Sequence, residues 1–594
     1  MDEKPIADVV FECSWEVCNK VGGINTVLKS KAGLMKERYA EYFMVGPYVE
    51  KNAQVELDEA EPPSFLKKAF AECSARGIRC YFGSWLIKGE PKVVLIDASA
   101  LLSQKDSIKA KLWEEFHIDS LHSRWEFEEP MLWSWAVGVL LEAVERELVG
   151  KKVVVHCHEW LAGFALLYLR SVRSSIASVF TTHATMLGRA LAGSGYDLYA
   201  MLDSINPQEW AQKVGVQDKF SAERAMASQA DVFSTVSEIT ALEAERILGR
   251  RPEVLLLNGL ELERFPTFEE TSIRHATNRE IIREFLSYYF FPYYTFDVEH
   301  TLMFFFVGRY EFRNKGIDVL IDALAKLNKK LQEEGGDRHI VVFFWVPMGT
   351  RGVKQEIVEN KNFFNHLKES VARRLEKLLQ RLVYDLASSG SDGKLVLEKD
   401  FIQELKRDLM HFRRVGNPPM ITHHIDNEQN DPLLNSLLSK GLDNKQDDRV
   451  KVVVYPAYLD GSDSLLNLPY YDAITGCHLG VFPSSYEPWG YTPLETAACG
   501  VPSVTTDLAG FGRFVMKKVH GEEGGIYVVP RYKHSYDEAV QELFEILLRF
   551  ARLNRSERVH EKIKAKSLSA LADWRQFVNF YVQAHNVALQ RHQG

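Results

Sequence analysis

The 594 residues are 46% apolar and 26% charged, with a formal net charge of −9, the composition of a soluble globular protein too long for a single core, so two or more domains are expected. The negative balance excludes a general affinity for nucleic acid or anionic membrane, and an anionic ligand would need a local basic pocket. Seven cysteines, odd in number and without a CxxC pair, exclude a disulfide frame or zinc site and fit reduced thiols in a cytoplasmic protein.

In chain order, the acidic start MDEKPIADVV carries no signal-peptide apolar region, and no later stretch is apolar for long enough to span a bilayer. IADVVFECSWEV is an apolar run that leads into a Gly22-Gly23 turn and a helical segment. KKVVVHCHEWLAGFALLYLR is a β run ending at His156, His158 and Glu159, then a helix. SIASVFTTHATMLGRAL is a strand ending at His183. ADVFSTVSEITALEAERIL is a strand, a Ser237 cap and a helix, and PEVLLLNGLELERF ends at Asn258. HTLMFFFVGRYEFRNKGIDVLIDALAKLN is a strand, then Arg309, then Lys315 at a helix start, with Ile317, Leu320, Ile321 and Leu324 on one face. This alternation predicts parallel sheets covered on both sides. Polar residues gather where each strand gives way to its loop, the rim on which an open parallel sheet builds its site. Strand ends are polar in any protein, but that alone does not predict Lys, His, Asn, Arg and Glu so regularly at one end.

From about Val353 to Val450 charged helical patterns replace the strands. VARRLEKLLQRLVYDL places Val371, Leu375, Leu378, Leu379, Leu382 and Leu386 at helical spacing. FIQELKRDLMHF does the same with Ile402, Leu405, Leu409 and Phe412, and ASSGSDGK is a flexible turn between them. Two such helices inserted in an α/β domain pack on their parent or offer a seam to another subunit. RVKVVVYPAYL then restarts the sheet.

The stretch SSYEPWGYTPLETAACGVPS, Ser484 to Ser503, sets Glu487 and Glu495 around an aromatic-glycine turn. Pro488 and Pro493 break any single helix joining them. HLGVFPS upstream predicts a buried strand. Thr492 reads as an N-cap, Pro493 as the first helical residue and Glu495 as the capping-box partner; Gly500 and Pro502 stop the helix before the strand PSVTTD. Glu487 then lies beyond a strand's carboxyl end, where α/β sheets bind ligands, and the helix start suits an anion such as a diphosphate. On these residues alone, a plain cap at Glu495 and a solvated acid at Glu487 fit equally well.

Taken in order, SWEVCNKVGGINTVLKSKAG, HCHEWLAG, TTHATMLGR, NGLELERF, GRYEFRNKGIDVLIDAL, GCHLGVFPSSYEPWGYTPLETAACGVPSVTTDLAGFG and LADWRQFVNFY resemble the eukaryotic-type glycogen (starch) synthases over nearly the whole chain. YEPWGYTP with GRYEFRNKG is highly specific, whereas KVGG also occurs in nucleotide-sugar starch synthases. The resemblance implies an α/β, GT-B fold: two Rossmann-like domains facing a cleft, with a helical insertion in the second. The first domain (1–265, acceptor side) is completed by the last helix (575–594). The second (266–574) holds the nucleotide sugar and contains the helical insertion (353–450), a candidate oligomerisation element. The implied reaction moves glucose from UDP-glucose to the non-reducing 4-OH of an α-1,4-glucan with retention of configuration. No cofactor is implied, and the expected assembly is a homo-oligomer, by analogy a tetramer. The need for a glycogenin-type primer stays open. The family pattern places Glu487 by the donor sugar as a catalytic residue, Glu495 on the ribose, His183 and Arg189 on the sugar and phosphate sides, and Asn258 elsewhere in the cleft. His158, Glu159, Tyr486, Trp489, Gly490, Tyr491 and Thr492 complete the substrate-binding candidates.

The chemistry can be rebuilt from residue types. Departing UDP leaves negative charge on the diphosphate, and no D-x-D metal motif is present, so Arg309 and Lys315 are expected to neutralise it without a metal, assisted by helix N-termini. The Gly22-Gly23 turn lets backbone approach donor phosphate and sugar, with Lys20 adjacent. HCHEW is not the two-turn zinc motif, because position 162 is Ala; His156 and His158 read as donors to sugar hydroxyls or packed loop residues. Trp160, Trp489 and Tyr491 offer rings to glucose, although core packing is the default role of each. A double displacement would need a nucleophile that the sequence does not single out, which favours a same-face, ion-pair-like route.

Relatives in animals and fungi carry an arginine-dense helix that binds glucose 6-phosphate and responds to phosphorylation. Here RLNRSERVHEKIKAKSLSALADW retains Arg555, Arg558, Lys562 and Lys564 but lacks several arginines, and lysine is the poorer bidentate phosphate ligand. His275 keeps one position of that effector pocket. Little response to glucose 6-phosphate is therefore expected, and without Ser-rich tails control by tail phosphorylation is not. Rival readings are an ADP-glucose starch synthase or sucrose synthase type, and a non-catalytic glucan-binding scaffold; the scaffold predicts erosion of the charged site, which is intact.

Overall fold

The computed structural model describes residues 3–388, 399–519 and 524–592. The amino-terminal sheet runs Leu57–Glu59, Arg79–Trp85, Lys92–Asp97, Glu41–Pro47, Val9–Cys13, Val153–His158, Ala177–Thr182, Val232–Thr235, Val254–Leu255. Strands Val9–Cys13, Val153–His158 and Ala177–Thr182 are buried at every position, because helices cover both faces; this is why they read as continuous apolar runs. The edge formed by Leu57–Glu59, Arg79–Trp85 and Lys92–Asp97 pairs antiparallel, a feature the helix–strand alternation did not announce. The second sheet is parallel throughout, in the order Val450–Tyr455, Ile340–Trp345, Leu302–Val307, Leu479–Val481, Ser503–Thr506, Ile526–Val529.

Between residues 353 and 450 lie the helices Gln355–Ser388 and Lys399–Phe412. Strands do not vanish there: His423–Ile425 pairs antiparallel with Thr350–Val353, a strand too short to show a period. Most of the ASSGSDGK turn falls outside the described residues. Val371, Leu375, Leu379 and Leu386 are 41% to 54% exposed, so part of the apolar pattern of the long helix has no cover within the chain.

The last helix, Trp574–His592, returns to the amino-terminal sheet. Trp574, Phe577, Tyr581, His585 and Ala588 are buried on it, against the strand Ala177–Thr182 and the helix Ile24–Arg38. Asn586 accepts from Ile6 N and donates to Lys4 O, each at 2.9 Å. One apolar cluster joins the two halves, with Trp489, Leu494, Phe511 and Phe514 packed among Val10, Leu28, Phe577 and Tyr581.

Candidate active site

The strand Leu302–Val307 ends in an irregular turn that carries Arg309 and Lys315 to the helix Ile317–Glu334. Gly316 sits at φ +70, and a Cβ there would lie 1.9 Å from the Pro483 carbonyl oxygen. Only glycine permits that approach, and it brings the turn against the loop after the strand Leu479–Val481. The Lys315 ammonium lies 2.5 Å from Glu487 Oε2. Glu487 is held by its backbone, bridged to Ala509 and accepting from Gly510 N at 3.1 Å. Ser484, Thr492, Phe306 and this pair line a small cavity. Arg309 is 77% exposed and paired with Glu311 at 3.0 Å, so the turn holds one cation in place and leaves the other in solvent.

The structure revises the capping-box expectation. The helix is Tyr491–Ala498, its N-cap is Gly490 at φ +101, and no side chain caps it. Glu495 instead accepts from Tyr470 Oη at 3.2 Å and Tyr471 Oη at 3.0 Å, and burial pushes its pKa up to about 7. A left-handed glycine can open the helix two residues early, which frees the acid to face the two tyrosines. Trp489 is 3% exposed and packed against Phe511, Phe514 and Phe577. Removing an indole from such a site costs about 3–5 kcal/mol of stability, so its loss would report folding rather than sugar contact. Trp160 likewise stacks on Phe127 at 5.4 Å. Tyr491 is half-buried, with its hydroxyl unpartnered. Tyr486 crosses to the other half: it is buried in the amino-terminal core, and its hydroxyl donates to Glu243 at 3.1 Å.

On the amino-terminal rim, His183 follows the strand Ala177–Thr182 and is 7% exposed. Its loop is fastened by buried acids. Glu159, at φ +63, accepts from His183 N at 2.9 Å. Glu223 accepts from Thr182 Oγ1 at 2.5 Å and Met186 N at 2.9 Å, and Glu243 accepts from Thr185 N at 3.1 Å. Gly188 makes room for the last, since a Cβ there would meet Glu243 Oε1 at 2.2 Å. Burial raises all three, Glu223 to about 8 and Glu243 to about 7. Arg189 is exposed on the helix Met186–Gly193, within the field of these acids. Asn258 is buried, with Oδ1 unpartnered. Lys20 is exposed beside the Gly22-Gly23 turn. Glu16 staples that turn by accepting from Gly22 N at 2.8 Å and Asn25 N at 2.9 Å.

His158 does not reach the cleft as a sugar contact. It is 1% exposed, and both ring nitrogens are engaged, one with His183 at 3.0 Å and the other with Glu12 at 2.6 Å. Glu12 also holds the Lys31 ammonium and the Tyr42 hydroxyl. His156 bonds Thr181 at 2.7 Å and His585 of the last helix at 3.0 Å. Glu12, His156 and His158 offer ligand atoms within 4.8 Å of one another, but Lys31 already places a positive charge on that carboxylate, which opposes a second cation. Sequence reasoning missed Glu12, Lys31, Glu16, Glu223 and Glu243. The signal was present at Glu12, an acid in the middle of the run VVFEC.

A second cavity, of 1160 Å3, lies away from the cleft; its lining includes the cations Arg279, Arg283, Arg338, Arg555, Arg558 and Lys562 with His275, and at its side the acids Glu280, Asp297, Glu299 and Asp337, of which Glu280 pairs with Arg283. Lys564 is not among its lining residues. Burial, then the charges of Arg279, Arg558 and Arg555, holds Lys562 down at about 7, and burial takes Arg279 to about 10. His275 Nε2, Arg279 Nη2 and Arg283 Nε are buried without partners. Cations crowded in this way favour an anion. Counting arginines on one helix understated the site, because Arg279, Arg283 and Arg338 come from other elements.

The family model for glycogen synthase matches residues 12–593. The chain is 40% identical over 594 residues to a Caenorhabditis elegans glycogen [starch] synthase, covering 98% of this chain and 88% of the relative. It is 37% identical over 593 residues to the liver glycogen [starch] synthase of Rattus norvegicus, covering 99% and 84%. Among solved structures, the catalytic domain of starch synthase IV from Arabidopsis thaliana, bound to ADP and acarbose, superposes with a TM-score of 0.50 at 12% identity, covering 98% of this chain and 99% of that one. The last comparison supports the two-Rossmann, GT-B architecture alone; the first three show that this chain belongs to the glycogen synthase family.

Proposed function

We propose that the protein is a glycogen synthase that transfers glucose from UDP-glucose to the non-reducing 4-OH of an α-1,4-glucan, with retention of configuration. The observation that carries this reading is the Lys315–Glu487 pair, set at the strand ends of the second sheet. Lys315 exchanges Glu487 for the departing diphosphate, Arg309 swings in from solvent, and the start of the helix Ile317–Glu334 adds its dipole. Glu487, released, accepts from the hexose; Glu495 takes the ribose hydroxyls; the Gly22-Gly23 turn and Lys20 close over the donor, with Arg189 on its phosphates and Asn258 in the cleft. Residues 1–265 with 575–594 form the acceptor domain and 266–574 the donor domain. The test is incorporation of glucose from UDP-glucose into glycogen in the presence of EDTA, with ADP-glucose as the comparison donor. Transfer that survives EDTA and prefers UDP-glucose is expected; loss in EDTA overturns the cation-based account.

We infer that the basic cavity takes a sugar phosphate such as glucose 6-phosphate. What supports this is its crowd of cations around buried, unpartnered donors. Glucose 6-phosphate should raise the melting temperature, and Arg558→Ala with Lys562→Ala should abolish the rise; an unchanged melting temperature in the native protein would sink this assignment. The exposed stripe Val371, Leu375, Leu379 and Leu386 supports a homo-oligomer seam, which sedimentation showing only monomer would remove. Free thiols at all seven cysteines fit a cytoplasmic location, and among the described residues no helix is long and apolar enough to cross a membrane.

A further inference from the structure

His158 Nδ1 and His183 Nε2 lie 3.0 Å apart, a contact in which one nitrogen carries the proton and the other does not. The direction is decided one residue further back. His158 Nε2 is 2.6 Å from Glu12 Oε1, and an ionised carboxylate only accepts. Its other partners, the Lys31 ammonium and the Tyr42 hydroxyl, are donors as well. Burial alone would raise the pKa of Glu12, but Lys31 and the His158 hydrogen bond outweigh it and hold the acid well below its usual range. Burial outweighs Glu12 at His158, and burial with the neighbouring positive charges acts on His183, so both rings stay neutral.

A neutral His158 that donates from Nε2 to Glu12 has a bare Nδ1. His183 must then donate from Nε2, which leaves its own Nδ1 as a lone pair. That nitrogen has no partner among the described residues and is not a sealed orphan.

We infer that Glu12 is a positioning residue which, through His158, fixes His183 as a hydrogen-bond acceptor toward the cleft, so that His183 recognises a sugar hydroxyl and not a phosphate oxygen. A hydroxyl donates to such a lone pair, whereas a diphosphate offers only acceptors and would be repelled. This inference rests on the glucosyl-transfer reading of the cleft.

The test is steady-state kinetics with UDP-glucose and glycogen. Glu12→Leu and His158→Leu should each lower kcat/KM by about 10- to 100-fold, the scale of one or two substrate hydrogen bonds. His158→Gln should stay near the wild type, because an amide can donate to Glu12 and accept from His183, preserving the direction of the relay. In a His183→Asn background neither Glu12→Leu nor His158→Leu should lower the rate further. Should Glu12→Leu fail to fold with Lys31 unpaired, the His158 pair carries the test, since it leaves that ion pair in place. The inference is overturned if His158→Gln is as impaired as His158→Leu, if the losses add to that of His183→Asn, or if no variant loses activity. A wild type inactive with UDP-glucose and glycogen would sink the transfer reading and this inference with it. An active wild type with any of the overturning patterns would sink this inference alone.

Discussion

Glu487→Gln is expected to lower kcat by about 10²- to 10⁴-fold while changing the KM for UDP-glucose far less, the range for removing a group that acts on developing charge. The substitution keeps the shape of the side chain and deletes its charge, so Lys315 loses its ionic partner and, on the proposed reading, the hexose loses an anion beside its developing charge. The fold should survive. The pair is mostly buried, with the lysine side chain 15% and the glutamate 23% exposed, but the Gln amide oxygen still accepts from the Lys315 ammonium, so losing the ion pair lowers stability without unfolding the chain. Comparing kcat, KM and melting temperature with the native protein separates the outcomes. A kcat within about threefold of native at an unchanged melting temperature would remove Glu487 from the chemistry. A trapped glucosyl ester on Glu487 would replace the same-face route with a double displacement.

Lys315→Met should be nearly as damaging, with a loss in kcat of about 10³-fold, whereas Arg309→Met alone should cost about tenfold. The difference follows from their surroundings. The Lys315 side chain is 15% exposed, where the local dielectric strengthens its field; Arg309 is 77% exposed, so water and salt screen it until it moves onto the diphosphate. Both act on one leaving group, so the double variant should lose less than the product of the single losses. A loss confined to KM would mean that Lys315 binds ground state and transition state equally. Unchanged transfer in the double variant would end the claim that these cations take the charge of the departing diphosphate.

The elements most legible in the sequence were those whose pattern is local. Val153–His158 and Leu302–Val307 are buried on both faces, so their apolar runs needed no partner to be recognised. The Glu487 loop was readable because prolines and glycine restrict the backbone one residue at a time. The cap at Thr492 misled because Gly490, two positions earlier, adopts a left-handed conformation that ends the loop sooner, and a sequence does not display φ. The rings of Trp489 and Tyr486 serve as well in a core as against a sugar, and only the packing partner decides: Trp489 takes the core role expected by default, and Tyr486 packs against the amino-terminal half. The ribbon strand His423–Ile425 is too short to carry a period at all.

Alternating periods, strand-end polar residues and motif order thus determined, before any coordinates, an α/β chain of this family with Glu487 and Lys315 at its rim. Only the tertiary structure decided that His158 stands behind His183 on Glu12 and that Tyr486 reaches Glu243. It alone also gathered cations from separate elements into the cavity around Lys562. Covalent geometry and burial pattern act over a few residues and are written locally, whereas hydrogen-bond direction and charge crowding depend on atoms hundreds of residues apart, which only the folded chain brings within reach.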